Sequence, residues 1–428
     1  MDHRKSLLKT LEATQTTQLH LLQSLVRAPS PNPPGSTSAA ASVLTAYLSI
    51  SQNDIPYKII APQPGCPNIV SKFTGGKGPG SRVVLNGHID AFPVGPNTDG
   101  WNRDPYSGDV VDGRIHGRGV VDMKSGTASL VIAYAALYER REELRGSVAL
   151  CAVSDEETGG RWGTQFLIRQ DRERWGGDAM LSSEPSGMTI RFSEKGTLRI
   201  SGVVRTKGAH GAYLNLSKGA IRTAAAYFTE VIEAVESMPV NAPPEIAIHL
   251  KDPETLAAVD RAMGPGTSTI IVKPTVNIGT IKGGTKVNMI PDICEFELDI
   301  RLPVGLTAEE VLSVLDSIGQ RYADKEDATI TLKRQEAASN PSSFSPLDHA
   351  MVECLKNAAT LAGGPRPVAT PSMGATDCKH YRYAGIPAYV YGCSPLTMAS
   401  VNESASVEEF YHVTRTHALA AWEVLNGP

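Results

Sequence analysis

The stretch SVALCAVSDEETGG, residues 147–160, joins an apolar run to three adjacent carboxylates and two glycines. The run 147–153 predicts a buried strand, because it is short, continuous and rich in apolar residues. Asp155, Glu156 and Glu157 follow it directly. Adjacent carboxylates repel one another and are costly to bury without partners. An exposed loop is the simple explanation, and a charged site at the end of a core strand is the alternative.

The bulk properties of the chain describe an ordinary globular protein. It has 428 residues, 41% hydrophobic and 20% charged, with a net charge of -4. This charge gives no reason to expect binding to nucleic acid or to an anionic membrane. We expect neither a membrane span, which needs about 20 consecutive apolar residues, nor a secretory signal. The six scattered cysteines, without a CxxC pair, predict reduced thiols and a cytoplasmic protein.

Helix and strand patterns alternate over residues 1–192. An amphipathic segment covers 4–27, a second helix is predicted near 37–51, and a long buried helix at 127–144. Apolar strand-like runs lie between them. This alternation predicts an α/β domain with a mixed sheet covered by helices on both faces.

The pattern changes at 193–336. Strands with alternating polarity are predicted at 269–281 and 293–301, together with a helix at 218–237, which indicates an inserted α+β unit. The α/β pattern returns after 336. The predicted organisation is therefore a catalytic domain in two segments, 1–192 and 337–428, interrupted by a smaller domain at 193–336.

Acidic residues and one histidine follow several predicted strands of the first segment. In open α/β sheets, ligands bind at the carboxyl ends of strands. Each residue alone could be a helix cap or loop acid, but their shared placement favours one site. Its candidate residues are His88, Asp90, Asp122, Asp155, Glu156, Glu157 and Glu184.

A divalent metal would offset the repulsion among these carboxylates. Histidine with carboxylates suits Zn²⁺, and also Co²⁺ or Mn²⁺. In such sites some acids bind metal, and one unliganded carboxylate takes a proton from the metal-bound water. Asp90, two residues after His88, is placed to accept the other imidazole N–H and so fix the tautomer.

Several motifs together resemble one enzyme family. They are GHIDAFPVG (87–95), DGRIHGRGVVDMKSG (112–126), SDEETGG (154–160), SSEPSG (182–187), GAHGAYLNLSKGAI (208–221), KVNMIPDICEFELDIRLPVG (286–305) and GATDCKHYRYAGIPAYVYG (374–392). In this order they resemble the co-catalytic zinc amidohydrolases. That family includes acetylornithine deacetylase, succinyl-diaminopimelate desuccinylase, aminoacylase and the glutamate carboxypeptidases. The resemblance covers essentially the whole chain.

The resemblance implies a role for each matching metal-site residue. His88 and Glu184 would bind the first metal, Asp122 would bridge two metals, and Glu157 would bind the second. Glu156 would be the general base, and Asp90 would orient His88.

The resemblance also implies a lid and dimerisation role for 193–336, and hence a homodimer. His210 would reach across the dimer and polarise the scissile carbonyl, while Asn288 and Arg301 would hold the substrate. Simpler alternatives stay open for two of them. His210 stands among glycines and could be a turn residue, and Arg301 ends a strand and could be a structural ion-pair partner.

The chain departs from the family pattern near its end. The second metal normally takes a histidine shortly before an Asn/Asp-Glu pair, but YGCSPLTMASVNES (391–404) contains none. Depending on the gap, the position falls on Leu396, Ala399 or Ser400. His380 is the first candidate for a replacement ligand, ahead of Asp377 and Cys393. The second metal site could instead be weak, or the chain could have left hydrolysis.

We therefore predict a metal-dependent hydrolase that cleaves the amide bond of an N-acyl amino acid or small peptide, with Glu156 as general base. The alternatives are an amide-forming enzyme on the same site and a metal-poor, inactive dimeric binding protein.

Overall fold

The computed structural model describes residues 3–50, 54–95, 98–326 and 328–427. Its helices are α1 (His3–Ala13), α2 (Gln15–Val26), α3 (Ser38–Ile50), α4 (Ser125–Glu139), α5 (Thr164–Gln170), α6 (Arg172–Trp175), α7 (Ala220–Glu236), α8 (Pro244–His249), α9 (Pro253–Met263), α10 (Thr267–Ile270), α11 (Ala308–Glu326), α12 (Ala350–Leu361), α13 (Cys378–Tyr383) and α14 (Val407–Asn426).

The strands are β1 (Lys58–Ile60), β2 (Asn68–Thr74), β3 (Arg82–His88), β4 (Val110–Val111), β5 (Arg114–His116), β6 (Ser147–Val153), β7 (Ala179–Ser182), β8 (Ile190–Glu194), β9 (Gly196–Arg205), β10 (Ala209–His210), β11 (Thr275–Gly283), β12 (Met289–Ile290), β13 (Ile293–Leu302), β14 (Thr329–Arg334), β15 (Ser343–Phe344), β16 (Ala369–Ser372), β17 (Ala388–Val390) and β18 (Ser404–Ser406).

A nine-stranded mixed sheet forms the larger layer. Its order is β1-β2-β6-β3-β7-β17-β8-β15, with β16 also paired to β8. Strands β6, β3, β7 and β17 run parallel to one another, and β1, β2, β8 and β15 add antiparallel pairs. The central strands β3 and β6 are almost wholly buried because helices cover both faces. The predicted fold class, an α/β fold with a mixed sheet, is confirmed.

Helix α4 lies in the core under this sheet. All of its residues from Ser125 to Leu137 are buried, and it packs against α14 and α2. The stretch Val120–Glu139 is long and apolar enough to cross a membrane, but 94% of its most apolar window is buried inside the protein. It is therefore a core helix of this fold, as expected for a helix that is apolar on all sides.

A second, smaller sheet has its own apolar core. Its order is β11-β13-β9-β14, all antiparallel, and α7 and α11 pack on one face. Tyr227, Phe228 and Phe296 meet at the centre of this core. The alternating burial along β13 explains the alternating sequence pattern. Division into domains at 193 and 336 remains a prediction.

Three predicted boundaries were wrong. The segment 4–27 is two helices, α1 and α2, separated at Thr14. The buried helix predicted to 144 ends at Glu139. The strand predicted from 269 begins at Thr275, because Thr267–Ile270 is a helical turn whose Ser268 N–H donates to Asp260 (2.7 Å) and Pro274 follows. The helices α8 and α9 were not predicted from the sequence.

Candidate active site

The parallel strands bring the acidic segments to one edge of the large sheet. His88 is the last residue of β3, and Glu184 follows β7 by two residues. Glu156 and Glu157 follow β6, the strand on the other side of β3. Asp122 lies in the turn that enters α4. The convergence expected from strand order is therefore present in three dimensions.

His88 is the centre of the cluster. Its side chain is buried, and its Nε2 lies 3.0 Å from Asp122 Oδ1 and 3.6 Å from Glu184 Oε1. Its Nδ1 lies 3.0 Å from the Asp90 carbonyl and 3.4 Å from Asp90 Oδ1. Burial lowers the pKa of His88, but the surrounding carboxylates outweigh burial and hold it well above 6.5. With Nδ1–H donated to Asp90, loss of the other ring proton would leave the Nε2 lone pair for a metal.

Asp90 links His88 to the acidic turn. Its carboxylate accepts hydrogen bonds from the backbone N–H of Glu156 (3.3 Å) and of Glu157 (3.1 Å). The Asn32 amide donates to it as well (2.9 Å). Burial raises the pKa of Asp90, but the hydrogen bonds from His88, Asn32 and Glu157 hold it below its ordinary 3.8. Asp90 therefore stays ionised and fixes both the imidazole and the turn.

The turn SDEETGG gives its three acids different surroundings. Asp155 has a left-handed backbone (φ 79°), and its side chain accepts from the Trp162 N–H (2.9 Å) and from the Thr158 hydroxyl. It therefore holds the loop itself, whereas Glu156 and Glu157 project into the site.

The two glutamates lie in a field of like charge. Burial, with the charges of Asp377 and Asp122, raises the pKa of Glu156 to about 8, against the opposing effect of Lys379. Burial and the Asp122 charge raise the pKa of Glu157 to about 10, and its Oε1 is buried without a hydrogen-bond partner. Burial also raises the pKa of Glu184 well above 4.5. Raised pKa values of this kind are typical of clustered carboxylates, which a divalent cation would stabilise in the ionised form.

Glu403 holds the turn that carries Asp122. Its carboxylate accepts from the N–H groups of Gly119 (3.1 Å) and Val121 (2.8 Å) and from Arg118 Nη1 (2.8 Å). The Asp122–Met123 peptide in this turn is cis. Glu403 belongs to the Asn-Glu pair of the family pattern near the end of the chain, and the sequence indicated no role for it. Its burial beneath Asp122 is visible only in the fold.

One group of side chains meets the geometry of a metal site among the described residues. The ligand atoms of His88, Asp122 and Glu184 all lie within 4.8 Å of one another. One imidazole nitrogen and two carboxylate oxygens suit Zn²⁺, with room for a further ligand. These three predicted ligands are brought together as the sequence indicated.

The sequence model of peptidase family M20/M25/M40 matches residues 84–423, more than half of the chain. The chain belongs to the peptidase family M20/M25/M40. The predicted resemblance to a family of zinc amidohydrolases and peptidases is thereby confirmed, and the chain is a metallo-hydrolase of this family.

Solved structures of the family share the fold at low sequence identity. The M20 family metallo-carboxypeptidase Sso-CP2 from Sulfolobus solfataricus is 18% identical, with a TM-score of 0.75 over 95% of this chain and 99% of its own. The di-peptidase Dug1p from Saccharomyces cerevisiae is 17% identical, with a TM-score of 0.74 over 100% of both chains. The YXEP protein from Bacillus subtilis, described as a dinuclear metal-binding peptidase, is 18% identical, with a TM-score of 0.65 over 97% of this chain and 100% of its own.

The predicted substrate-holding residues lie on the smaller sheet and its loops. His210 and Asn288 are exposed neighbours, since β10 pairs with β12 and the Gly211 N–H donates to the Asn288 carbonyl (2.8 Å). His210 Nδ1 accepts from the Ala212 N–H (3.2 Å), within its own loop. The Arg301 fork is engaged by Asp299, with Nε–Oδ1 at 2.9 Å and Nη2–Oδ2 at 3.0 Å. Roles for these residues in substrate binding remain predictions.

The loop without the histidine is hydrogen-bonded to the segment around Gly100. The Asn402 amide donates to the Gly100 carbonyl (3.0 Å), and Leu396 is 80% exposed. The proposed substitute, His380, lies at the start of α13, with Nε2 3.1 Å from the Gly159 carbonyl and 3.9 Å from Asp377 Oδ1. Burial lowers its pKa to about 3, so the ring is neutral. Whether it binds metal remains a prediction.

Proposed function

We propose that the chain hydrolyses the amide bond of a small peptide or N-acyl amino acid, with Glu156 as general base. The observation that carries the proposal is the convergence of His88, Asp122 and Glu184 beside a half-buried glutamate outside that metal-ligand group, Glu156. A divalent ion would have three ligands there, and Glu156 would remain free to move a proton.

The donor set fits a zinc ion, or Co²⁺ or Mn²⁺, held by His88, Asp122 and Glu184. When bound, such an ion supplies Lewis acidity to the scissile carbonyl and lowers the pKa of water. Glu157, with a buried unpaired Oε1, is a further carboxylate within electrostatic reach of this group.

Glu156 carries the proton through the reaction. Its carboxylate accepts a proton from the water that attacks the carbonyl carbon, and the new C–O bond forms. The C–N bond then breaks, and Glu156 gives the proton to the departing amine nitrogen, so that acid and amine leave. Asp90 keeps this base in place because it accepts the backbone N–H groups of residues 156 and 157.

The relatives support a small peptide as the substrate class. Sso-CP2 is described as a metallo-carboxypeptidase and Dug1p as a di-peptidase. We propose that His210, Asn288 and Arg301 contact the substrate when the smaller sheet closes over the site. For Arg301 this requires its guanidinium to be shared with Asp299 or released from it.

The direct test is Glu156→Gln in zinc-loaded protein, assayed with dipeptides and N-acetyl amino acids. Turnover should fall by about 1000-fold or more while zinc content is unchanged, because the base is lost and the ligands are not. Turnover close to that of the parent would refute the mechanism. Amide accumulation from free acid and amine without ATP would identify an amide-forming enzyme. No turnover in any metal, with no tightly bound metal, would identify a binding protein.

We further propose a homodimer formed through the unit 193–336, with His210 acting in the partner's site. Exposed apolar side chains on this unit support it: Tyr213, Leu214, Ile221, Ile281, Val287 and Met289. Mixing inactive His210→Ala with inactive Glu156→Gln protein under exchange conditions should restore activity, since one mixed site retains both residues. Failure to regain activity, or a monomer in sedimentation experiments, would contradict this proposal.

We also propose that the protein works in the cytoplasm. All six cysteines are buried and free, as expected for a reducing compartment. Fractionation of cells that express the chain would test this, and recovery from outside the cytoplasm would contradict it.

A further inference from the structure

Besides Asp90, which is paired with His88, five carboxylates surround the candidate active site. Asp122 and Glu184 belong to the metal-ligand group. Glu156, Glu157 and Asp377 lie within electrostatic reach of that group, since each interacts with His88. One divalent ion at His88 cannot neutralise all five. A second positive charge on the side of Glu156 would stabilise the carboxylates that this ion leaves uncompensated.

The residues on that side do not fit a second metal as they fit the first. Among the described residues, the only three ligand atoms that converge for a cation are those of His88, Asp122 and Glu184. The loop 391–404, which should bring an imidazole, contains none. His380 has its Nε2 against the Gly159 carbonyl at 3.1 Å.

A lysine ammonium already lies there. Lys379 is the second residue of α13, and its side chain is buried. Its Nζ lies 3.8 Å from Glu156 Oε1 and donates to the Thr376 carbonyl (3.1 Å). In the part of the chain that the structure describes, it is the only lysine or arginine in an ion pair with any of the five carboxylates.

The location of Lys379 is fixed by its helix. Asp377 precedes α13, and its Oδ2 accepts from the Thr164 hydroxyl (2.7 Å), which ties the helix start to α5. The Thr376 hydroxyl donates to Glu194 Oε1 (2.6 Å) on β8. With both neighbours anchored, the ammonium of Lys379 is held against Glu156 rather than in solvent.

We propose that Lys379 is the resident cation of the second half of the site, so that the chain binds one metal tightly and Lys379 positions Glu156 in place of a second ion. This inference rests on the proposed function, because it assumes that Glu156 is the base. Lys379 is a positioning residue, since it acts through Glu156.

Metal stoichiometry tests the inference without any activity measurement. Protein dialysed against buffered zinc should hold one tight zinc per chain. A second should bind at least about 100-fold more weakly, for lack of an imidazole ligand. Lys379→Met should strengthen zinc binding at this second site about 10-fold or more, because it removes a positive charge that lies 3.8 Å from the Glu156 carboxylate. Two zinc ions of similar affinity in the parent, or an unchanged second site in Lys379→Met, would overturn the inference.

Kinetics of the zinc-loaded protein give the second measurement. Lys379→Met should lower kcat about 100-fold with little change in KM, and Lys379→Arg should recover most of the loss because it keeps the charge. Lys195→Met is the matched control: Lys195 is also buried, but it donates to the carbonyls of Ile270 and Lys273 (both 2.6 Å) rather than to an acid.

The outcomes separate the two proposals. If Glu156→Gln is inactive and Lys379→Met, folded and zinc-loaded, keeps the parent kcat, only the role of Lys379 fails. If Glu156→Gln is active, the proposed function fails first. An equal loss of kcat in Lys195→Met and Lys379→Met, without recovery in Lys379→Arg, would show a purely structural effect and overturn the inference.

Discussion

The two halves of the candidate active site are built differently. On one side, His88, Asp122 and Glu184 converge, and Asp90 and Glu403 hold them from behind. On the other side, Glu156 and Glu157 face no imidazole from the loop 391–404, and the nearest cation is Lys379. The first half meets the geometry of a metal site with three side chains. The second half depends on a helix start, so equivalent changes in the two halves should have unequal effects.

The largest effect is expected from the first half. Asp122→Asn removes a ligand charge while keeping the side-chain shape, so tight metal binding should be lost and kcat/KM should fall by about 1000-fold or more. Metal content and kcat/KM measure it. The matched control is Asp109→Asn, whose side chain is 49% exposed beside Arg103, and which should keep both values. Retention of tight metal by Asp122→Asn would show that the first half is not the metal site.

Removing a side chain that supports the metal ligands of the first half should lower metal affinity less than removing a ligand. Glu403→Gln removes the carboxylate that accepts from Gly119, Val121 and Arg118. The turn with Asp122 loses its support, so metal affinity should fall about 10- to 100-fold. Competition with a fluorescent chelator measures it, with the exposed Glu408→Gln as control. Unchanged affinity would mean that the turn holds Asp122 without Glu403.

The metal should stabilise the protein more as pH rises. The surrounding carboxylates raise the pKa of His88, and burial raises that of Glu184, so without metal each holds its proton to a higher pH than usual, and a metal must displace that proton. For each proton that the metal displaces, the stabilisation of the folded protein by metal grows by about 1.4 kcal/mol per unit rise in pH. The stabilisation by metal is therefore smaller at lower pH. Unfolding with zinc and with chelator measures the difference. Glu157→Gln should leave the stabilisation by zinc almost unchanged. A large loss of that stabilisation in Glu157→Gln would mean that a metal binds in the second half of the site.

Much of the first half could be predicted from the sequence because strand ends fix it. His88 ends a strand, Glu184 follows one by two residues, and the parallel order β6-β3-β7 brings them together. Such positions follow from strand patterns and from local motifs. The alternating pattern also predicted the smaller sheet, because one face of β13 is buried and the other is exposed.

The second half could not be predicted in the same way because its partners come from distant parts of the chain. Lys379 and Glu156 are more than 200 residues apart, and only the packing of α13 against α5 brings them together. The support from Glu403 and Asn32 has the same origin. The missing histidine was visible as a gap in a motif, but a gap does not indicate which side chain takes its place.

The smallest effect is expected where the acidic turn meets α13. Gly159 and Gly160 both have left-handed backbones, with φ of 107° and 72°. A methyl group on Gly159 would contact nothing within 4 Å, whereas one on Gly160 would lie 2.6 Å from Asp377 Oδ1 and 2.9 Å from His380 Nε2. Both alanine variants carry backbone strain, so their difference isolates the contact with α13. Gly160→Ala should lose about 1 kcal/mol more in the free energy of unfolding than Gly159→Ala.

Urea unfolding of the two variants in chelator measures that difference, and kcat in zinc measures its consequence for the base. Gly160→Ala should also have the lower kcat, because moving α13 away shifts Lys379 relative to Glu156. Equal unfolding free energies and equal kcat would mean that the turn does not depend on α13. In that case the second half of the site would be held by Asp90 alone, which also holds His88 in the first half.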